Sequence, residues 1–236
     1  MQFKSKNLIK AILLISFGFI FTACTQSDPN GFYDPLEKIN RKTHSFNKSL
    51  DKINCKNTKA KSHTAKNIEP PEIKGPFQNR TFTLTTNCGN IVIKADGKSA
   101  PITVTALSAL AAGGFFDQTL CHRLTTENIY VLQCGDPTAT GLGGPNFTYR
   151  DENLPTAAEN NYPAGVVAMA NSGQNTNGSQ FFIVYEDTSL PPSYTIWGKV
   201  TKGLEIVQMV AKSGVLDGKK DGSPKQKIGI EKVKVR

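Results

Sequence analysis

The sequence predicts a mostly-β protein whose main domain is an eight-stranded antiparallel closed barrel capped by two α-helices. From about residue 80 onward, short runs rich in β-branched and aromatic residues alternate with turns rich in Gly, Asn and Pro. Only two windows in this region carry a helical repeat. A change of composition before residue 76 adds a signal segment, an amphipathic helix and a linker at the N-terminus.

About eight β-rich runs follow the linker. They are TFTLTT, NIVIK, CHRLTT, IYVLQCG, GVVAMA, SQFFIVY, YTIWGKV and KIGIEKVKV. Eight is about the number of strands whose closure leaves an interior that side chains fill. Two amphipathic helices, Pro101 to Ala112 and Leu204 to Lys212, would then close the ends. A filled barrel leaves its outer wall as the place for a ligand.

The first 23 residues are predicted to be a signal peptide. Three lysines precede an apolar run at 11–21, which is followed by Thr22-Ala23-Cys24. The run is too short to span a bilayer, which takes roughly 20 apolar residues. Small residues before a cysteine resemble a bacterial lipobox, in which the Cys24 thiol receives diacylglycerol. The chain is therefore expected to be exported, either anchored to a cell membrane by lipid or secreted after an ordinary cut near Ala23.

Residues 24–75 are predicted to be a tether. A helix is expected at about 35–53, with Asp34 as N-cap, Pro35 at its first position and Glu37 completing a capping box. Its apolar residues recur every three or four positions: Leu36, Ile39, Phe46, Leu50 and Ile53. Lysine and arginine fill the other face, so the helix is predicted to lie on a membrane surface or to dock on a partner. A flexible linker follows, and the main domain takes residues 76–236.

The positive charge of the chain lies mainly before the main domain. Residues 1–75 hold 13 Lys and Arg against 6 Asp and Glu, whereas residues 76–236 hold 15 against 13. A nucleic-acid-binding domain concentrates basic residues on its folded part. Nucleic acid is therefore not expected as a partner, and the domain is expected to be a monomer.

Five cysteines are present, and export permits disulfides. With Cys24 lipidated, the other four, Cys55, Cys88, Cys121 and Cys134, allow three complete pairings. Cys121 and Cys134 flank a predicted hairpin, so a bond between them is possible, but the pairing stays open. A zinc site at Cys121, His122 and Cys134 lacks the usual ligand spacing. No metal or cofactor is expected.

Several motifs in the main domain resemble the cyclophilin family of peptidyl-prolyl isomerases. They are CHRL at 121–124, LQCGDPT at 132–138, GLGGP at 141–145, MANSGQNTNGSQFFI at 169–183 and YTIWGKV at 194–200. The resemblance covers about residues 80–235 and is strongest to cyclophilins of actinobacterial type. It implies an isomerase that assists the folding of exported proteins and takes proline-containing polypeptides as clients.

The resemblance also assigns catalytic residues. Arg123 matches the arginine that stabilises the twisted amide, Gln133 the glutamine that helps to hold the substrate backbone, and Asn171 the asparagine that hydrogen-bonds it. A planar guanidinium with several donors suits this task, because the carbonyl next to proline swings during rotation. His122 is predicted to be structural, since the reaction moves no proton.

A pocket for the proline ring is implied beside these residues. The resemblance makes Phe182 its floor, and strand alternation agrees, since Phe181 must point to the opposite face of the same strand and fill the barrel. The other implied substrate-binding residues are Tyr130, Val131 and Leu190 as walls, Tyr194 at the rim, and Ala170 and Gln180 alongside. GLGGP and residues 172–179 resemble the gatekeeper rim beside the pocket.

Two substitutions depart from the better-known eukaryotic pattern. Leu190 replaces the tryptophan associated with tight cyclosporin binding, and Tyr194 replaces a histidine. Weak cyclosporin binding with retained activity is therefore expected. Two other functions stay open: a proline-peptide-binding module or chaperone with incidental turnover, and a scaffold for a basic helix that carries the function.

Overall fold

A computed structural model describes residues 39, 43–45, 50 and 53–236. The predicted signal segment 1–23, Cys24 and most of the predicted helix at 35–53 lie outside the described residues. Residues 39, 43–45 and 50 are helical. All described residues except residue 39 belong to one compact unit, 42–236. No helix among the described residues has the length and apolar character needed to cross a membrane.

Ten strands and two α-helices form the described part of the domain. The strands are β1 (Arg80–Thr86), β2 (Gly89–Ala95), β3 (Thr119–Leu120), β4 (Arg123–Thr125), β5 (Val131–Cys134), β6 (Val166–Met169), β7 (Phe181–Val184), β8 (Ile196–Lys202), β9 (Asp221–Gly222) and β10 (Gly229–Val235). The helices are α1 (Pro101–Ala112) and α2 (Leu204–Ser213), with a short 3-10 helix at Leu216–Gly218.

All strands join one antiparallel sheet, in the order β3-β10-β1-β2-β8-β6-β7-β5-β4-β9. Only Cys121 and His122 separate β3 from β4 along the chain, yet β3 pairs with β10 at one end of the sheet and β4 pairs with β5 and β9 at the other. Three peptide units span at most about 11 Å. The sheet therefore curls until its ends lie close together.

This curled half-barrel corrects the predicted closed barrel of eight strands. In the described part of the chain no ladder joins the edge strands β3 and β9. The run CHRLTT was predicted as one strand, but the break at Cys121 and His122 leaves two short strands on different partners. Strands of two or three residues are too short to show an alternating pattern, so the sequence did not reveal them.

The main core lies between the sheet and the two helices. The ring centroid of Trp197 is 5.3 Å from that of Phe82 and 5.8 Å from that of Phe181, both edge to face. The predicted inner face of α1, which includes Leu107 and Leu110, is fully buried. Helix α1 begins with proline and ends at Gly113, as predicted. These elements cover the inner face of the sheet, which leaves its outer face for a site.

Residues 54–68, named the strap, lie extended against the domain. A disulfide joins Cys55 to Cys88, at the turn after β1. Farther along, the backbone N–H of His63 donates to the carbonyl of Pro137, 2.8 Å away. The strap has no helix or strand. Its contacts with the domain were not expected, because the segment was predicted to be a flexible linker.

Two glycines of the domain make room for the strap. A Cβ at Gly229 would lie 2.5 Å from the Cβ of Ala60, and a Cβ at Gly113 would overlap the side chain of Ile68. Ala60 is buried and Ile68 packs on the core. The strap therefore covers surface that would otherwise be exposed.

Replacing Cys55 and Cys88 together with alanine is expected to lower the free energy of unfolding by about 4 kcal/mol, because the bond closes a loop with a separation of 33 residues. Unfolding in guanidinium chloride, followed by the fluorescence of the buried Trp197, measures this. The exposed Lys59→Ala in the same strap is the control and should leave the midpoint in place. An unchanged midpoint in the double variant would show that this disulfide adds no stability.

Candidate active site

Four side chains lie in a row across the outer face of the sheet. Arg123 in β4 is the direct partner of Gln133 in β5, which is the partner of Phe182 in β7, which is the partner of Ala168 in β6. Directly opposed residues of antiparallel strands share a face. Phe182 belongs to a second apolar cluster, separate from the main core that contains Phe181. The predicted opposite orientation of the two phenylalanines is therefore confirmed.

Asp221 and Gln133 hold the guanidinium of Arg123 from two sides. Nε and Nη2 donate to the two carboxylate oxygens of Asp221, each at 2.7 Å, and Nη1 donates to Gln133 Oε1 at 3.2 Å. The hydrogen bonds to Asp221 raise the pKa of Arg123 further. A guanidinium has five N–H groups, so two remain, one on each terminal nitrogen. The side chain is 42% exposed, which leaves these donors open to a ligand.

A directed chain of amides connects Arg123 to a glycine-rich loop, residues 138–145, named the glycine loop. Because Arg123 can only donate, the amide oxygen of Gln133 faces it and the amide nitrogen points onward. That nitrogen donates to Gln180 Oε1 at 2.8 Å, and Gln180 Nε2 donates to the carbonyls of Gly141 at 2.9 Å and Gly143 at 2.8 Å. The loop backbone thus fixes both glutamines.

Asp136 anchors the glycine loop from below. Its fully buried carboxylate accepts backbone N–H bonds from Thr138, Thr140, Gly141 and Gly143 at 2.7 to 3.1 Å. Burial alone would raise the pKa of Asp136, but the bonds from Thr138 and the loop backbone outweigh it and the pKa is lowered. The backbone N–H groups of this loop are therefore paired with a charged carboxylate, in place of the carbonyl groups that would pair with them in a helix or sheet.

An apolar cluster lies beside the row, and Phe182 and Val131 are buried in it. Leu190, Ala170 and Tyr194 are partly buried against the same cluster. The Tyr194 ring stands edge-on to Phe182, with centroids 5.5 Å apart. The structure thus brings these predicted pocket residues together, and their roles with a substrate stay predictions.

Tyr162 belongs to the same apolar cluster, and no sequence pattern pointed to it. The side chain is fully buried, its ring centroid is 6.2 Å from that of Phe182, and its hydroxyl donates to the carbonyl of Tyr194 at 3.0 Å. Burial raises its pKa to about 12, so the hydroxyl stays protonated and keeps donating.

Tyr130 does not line this pocket, which corrects the prediction that it is a wall. Its ring packs on Tyr185, with centroids 6.0 Å apart, and borders a separate groove of about 500 Å³. Successive residues of an extended chain point to opposite faces. Since Val131 faces Phe182, Tyr130 faces away, and Ile129 takes the place of the second wall. The alternation that placed Phe182 would also have found Ile129.

Asn171 borders a neighbouring groove of about 340 Å³, together with Ala170 and part of the glycine loop. Its side-chain amide donates to the carbonyl of Ser193 at 2.8 Å and its oxygen accepts from the N–H of Gly173 at 3.2 Å. The side chain therefore links two loops at the rim. Its predicted contact with a substrate backbone stays a prediction.

His122 lies next to Arg123 in the chain but takes no place in the row. Both ring nitrogens are shielded from solvent, and burial lowers the pKa of the ring. A disulfide joins the flanking Cys121 to Cys134 and so fastens the hairpin that carries Arg123 and Gln133. Within the described residues no three His, Cys, Asp or Glu side chains are arranged to hold a metal ion.

Comparison with known proteins gives a consistent match. The family model described as cyclophilin type peptidyl-prolyl cis-trans isomerase/CLD matches residues 81–235. The chain is 40% identical to a probable peptidyl-prolyl cis-trans isomerase B of Mycobacterium leprae, over 78% of this chain and 67% of the relative. It is 44% identical to a protein of the same description in Mycobacterium tuberculosis, over 65% of this chain but only 53% of the relative.

The fold is also similar to solved structures. A crystal structure of a cyclophilin type peptidyl-prolyl cis-trans isomerase of Cryptosporidium parvum superposes with a TM-score of 0.57 at 27% identity, covering 67% of this chain and 98% of that one. A crystal structure of that protein in the presence of the dipeptide Ala-Pro gives a TM-score of 0.56.

Proposed function

The chain belongs to the cyclophilin type peptidyl-prolyl cis-trans isomerase family, and from this premise we propose that it speeds rotation about X-Pro bonds in exported proteins. The observation that carries the proposal is the row in which Arg123 and Gln133 lie beside Phe182 and its apolar cluster. This row places a fixed cation next to the apolar cluster of Phe182 on the outer face of the sheet.

The reaction determines what such a site must do. Rotation about an X-Pro bond meets a barrier of roughly 20 kcal/mol, because resonance gives the C–N bond double-bond character. No covalent bond forms or breaks and no proton is transferred. A catalyst must therefore bind the twisted amide more tightly than either planar form.

Arg123 supplies that differential binding. Its two remaining N–H groups are available to the carbonyl oxygen that precedes proline, whose charge and direction change during rotation. The partners of its other three N–H groups already hold the guanidinium in place. Little reorganisation is then needed as the amide twists.

The apolar pocket takes the proline ring. Proline offers no N–H donor and its ring is favourably removed from water. Phe182 is 5% exposed, and the Tyr194 ring packs edge-on against it. A ring held there keeps proline still while the preceding residue turns around the bond.

A protease-coupled assay on an Ala-Pro tetrapeptide tests this proposal. We expect the purified domain, residues 42–236, to accelerate the cis-to-trans step in proportion to its concentration. Binding of the same peptide without acceleration would instead assign a proline-binding module. Cyclosporin is expected to inhibit weakly because Leu190 and Tyr194 line the pocket, and nanomolar inhibition would contradict that expectation.

We also propose that the chain is exported and held on a membrane by lipid at Cys24. The two disulfides of the described domain support export, because such bonds persist in oxidising compartments. The basic face of the helix predicted at 35–53 would then lie on the membrane surface. Mass spectrometry of the mature N-terminus is the test. Diacylglycerol on Cys24 supports the anchor, an unmodified end near residue 24 means secretion, and an uncleaved N-terminus contradicts both.

A further inference from the structure

Asp221 is a surface carboxylate that motif comparison did not single out, yet it makes the two shortest contacts of Arg123. Both carboxylate oxygens are engaged, at 2.7 Å each. Paired, planar contacts of this kind fix the plane of a guanidinium, whereas a single contact lets it turn. The two residues are 98 positions apart in the chain.

A loop that follows α2 carries this carboxylate. Residues 214–225 leave the end of α2 and return, and their base is closed by the N–H of Lys225 donating to the carbonyl of Gly214 at 2.8 Å. At the far end β9 pairs with β4, with Asp221 opposite Thr125. The loop therefore contacts β4 next to Arg123.

We propose that Asp221 is a positioning residue, which holds the guanidinium of Arg123 so that its two unused N–H groups face the X-Pro carbonyl above the Phe182 pocket. This inference rests on the proposed isomerase function and deepens it. Asp221 accepts hydrogen bonds from the N–H of Nε and from one N–H of Nη2, and Gln133 accepts one from Nη1. The two donors left are on adjacent terminal nitrogens, which is the arrangement needed to follow a moving oxygen.

The position of Asp221 separates this role from a purely structural one. Its side chain is 54% exposed, and exposed ion pairs contribute at most about 1 kcal/mol to stability. Losing the carboxylate should therefore leave the fold in place and affect only the direction of Arg123. Since Arg123 acts on the twisted amide, the loss should appear in kcat rather than in KM.

The test compares Asp221→Asn with wild type in the protease-coupled assay. We expect kcat to fall about tenfold with KM within a factor of two, because a misdirected group loses transition-state contacts. Asp221→Glu, which keeps the paired oxygens, should recover most of the activity. The control is Glu127→Gln, since Glu127 pairs with Lys220 in the same region at 3.8 Å and should leave kcat unchanged.

A double variant shows whether Asp221 acts through Arg123. In an Arg123→Ala background, adding Asp221→Asn should cause no further loss of kcat. The positioning role would be overturned if Asp221→Asn lowered kcat by the same factor in the Arg123→Ala background as in wild type. It would also be overturned if Asp221→Asn alone were as fast as wild type or faster. If Arg123→Ala itself keeps full activity, the proposed function fails instead, so the two failures are distinguishable.

Discussion

Replacing Arg123 with alanine is expected to lower kcat/KM for an Ala-Pro peptide by about 100- to 1000-fold, the usual cost of removing a donor that acts in the transition state. The guanidinium is the cation of the row, and Gln133, whose oxygen it fixes, would be released as well. The protease-coupled assay and exchange spectroscopy by NMR on the same peptide measure the loss.

Two measurements make this result specific to catalysis. The side chain of Arg123 is 42% exposed, so the thermal midpoint of Arg123→Ala should stay close to that of wild type. Arg123→Lys keeps the charge but not the planar fork, and should recover only a small part of the activity. Activity within twofold of wild type in Arg123→Ala would contradict the assignment of this row as the catalytic site.

The central row of the site was predictable from sequence because motif and alternation agree there. Phe181 and Phe182 are neighbours in a strand, so one must fill the core when the other faces outward. Tyr130 was misplaced because it was assigned from the motif alone, without the alternation that placed Phe182. The same period, counted backward from Val131, leads to Ile129.

Other features were not accessible because their contacts do not depend on local pattern. Part of the strap is bound through backbone groups, such as the N–H of His63 on the carbonyl of Pro137, and any sequence offers such groups. Asp221 reaches Arg123 through a two-residue strand whose partner is chosen by the path of the whole chain. Closure of the sheet likewise depends on which short strands pair at its edges, and counting strands does not reveal that.

The buried carboxylate of Asp136 leads to the second large effect. Asp136→Asn is expected to lower the free energy of unfolding by about 3 kcal/mol, because an amide nitrogen would face the N–H groups of the glycine loop. One oxygen of Asp136 now accepts from Gly141 and Gly143, whose carbonyls hold Gln180. Activity should therefore fall with stability, and urea unfolding and the isomerase assay measure both.

The pH dependence of this loss has a definite sign. The pKa of Asp136 is lowered from 3.8 in the folded protein, so its contribution to stability is present above about pH 4 and disappears as the pH falls through the folded value. The difference in unfolding free energy between wild type and Asp136→Asn should thus be constant near neutral pH and shrink on acidification. A difference that grows at low pH would contradict the carboxylate anchor.

Two neighbouring glycines provide a test of the same anchor that leaves the carboxylate in place. A Cβ at Gly143 would overlap Asp136 Oδ1, whereas the nearest atom to a Cβ at Gly144 is Ser179 Oγ, at 3.8 Å. Gly143→Ala should therefore push the glycine loop off Asp136 and reproduce much of the stability loss of Asp136→Asn, while Gly144→Ala should unfold at the wild-type urea midpoint. Equal midpoints for the two alanine variants would mean that the loop moves freely over Asp136. In that case the series of hydrogen bonds from Gly143 through Gln180 and Gln133 would not fix the position of the Arg123 guanidinium.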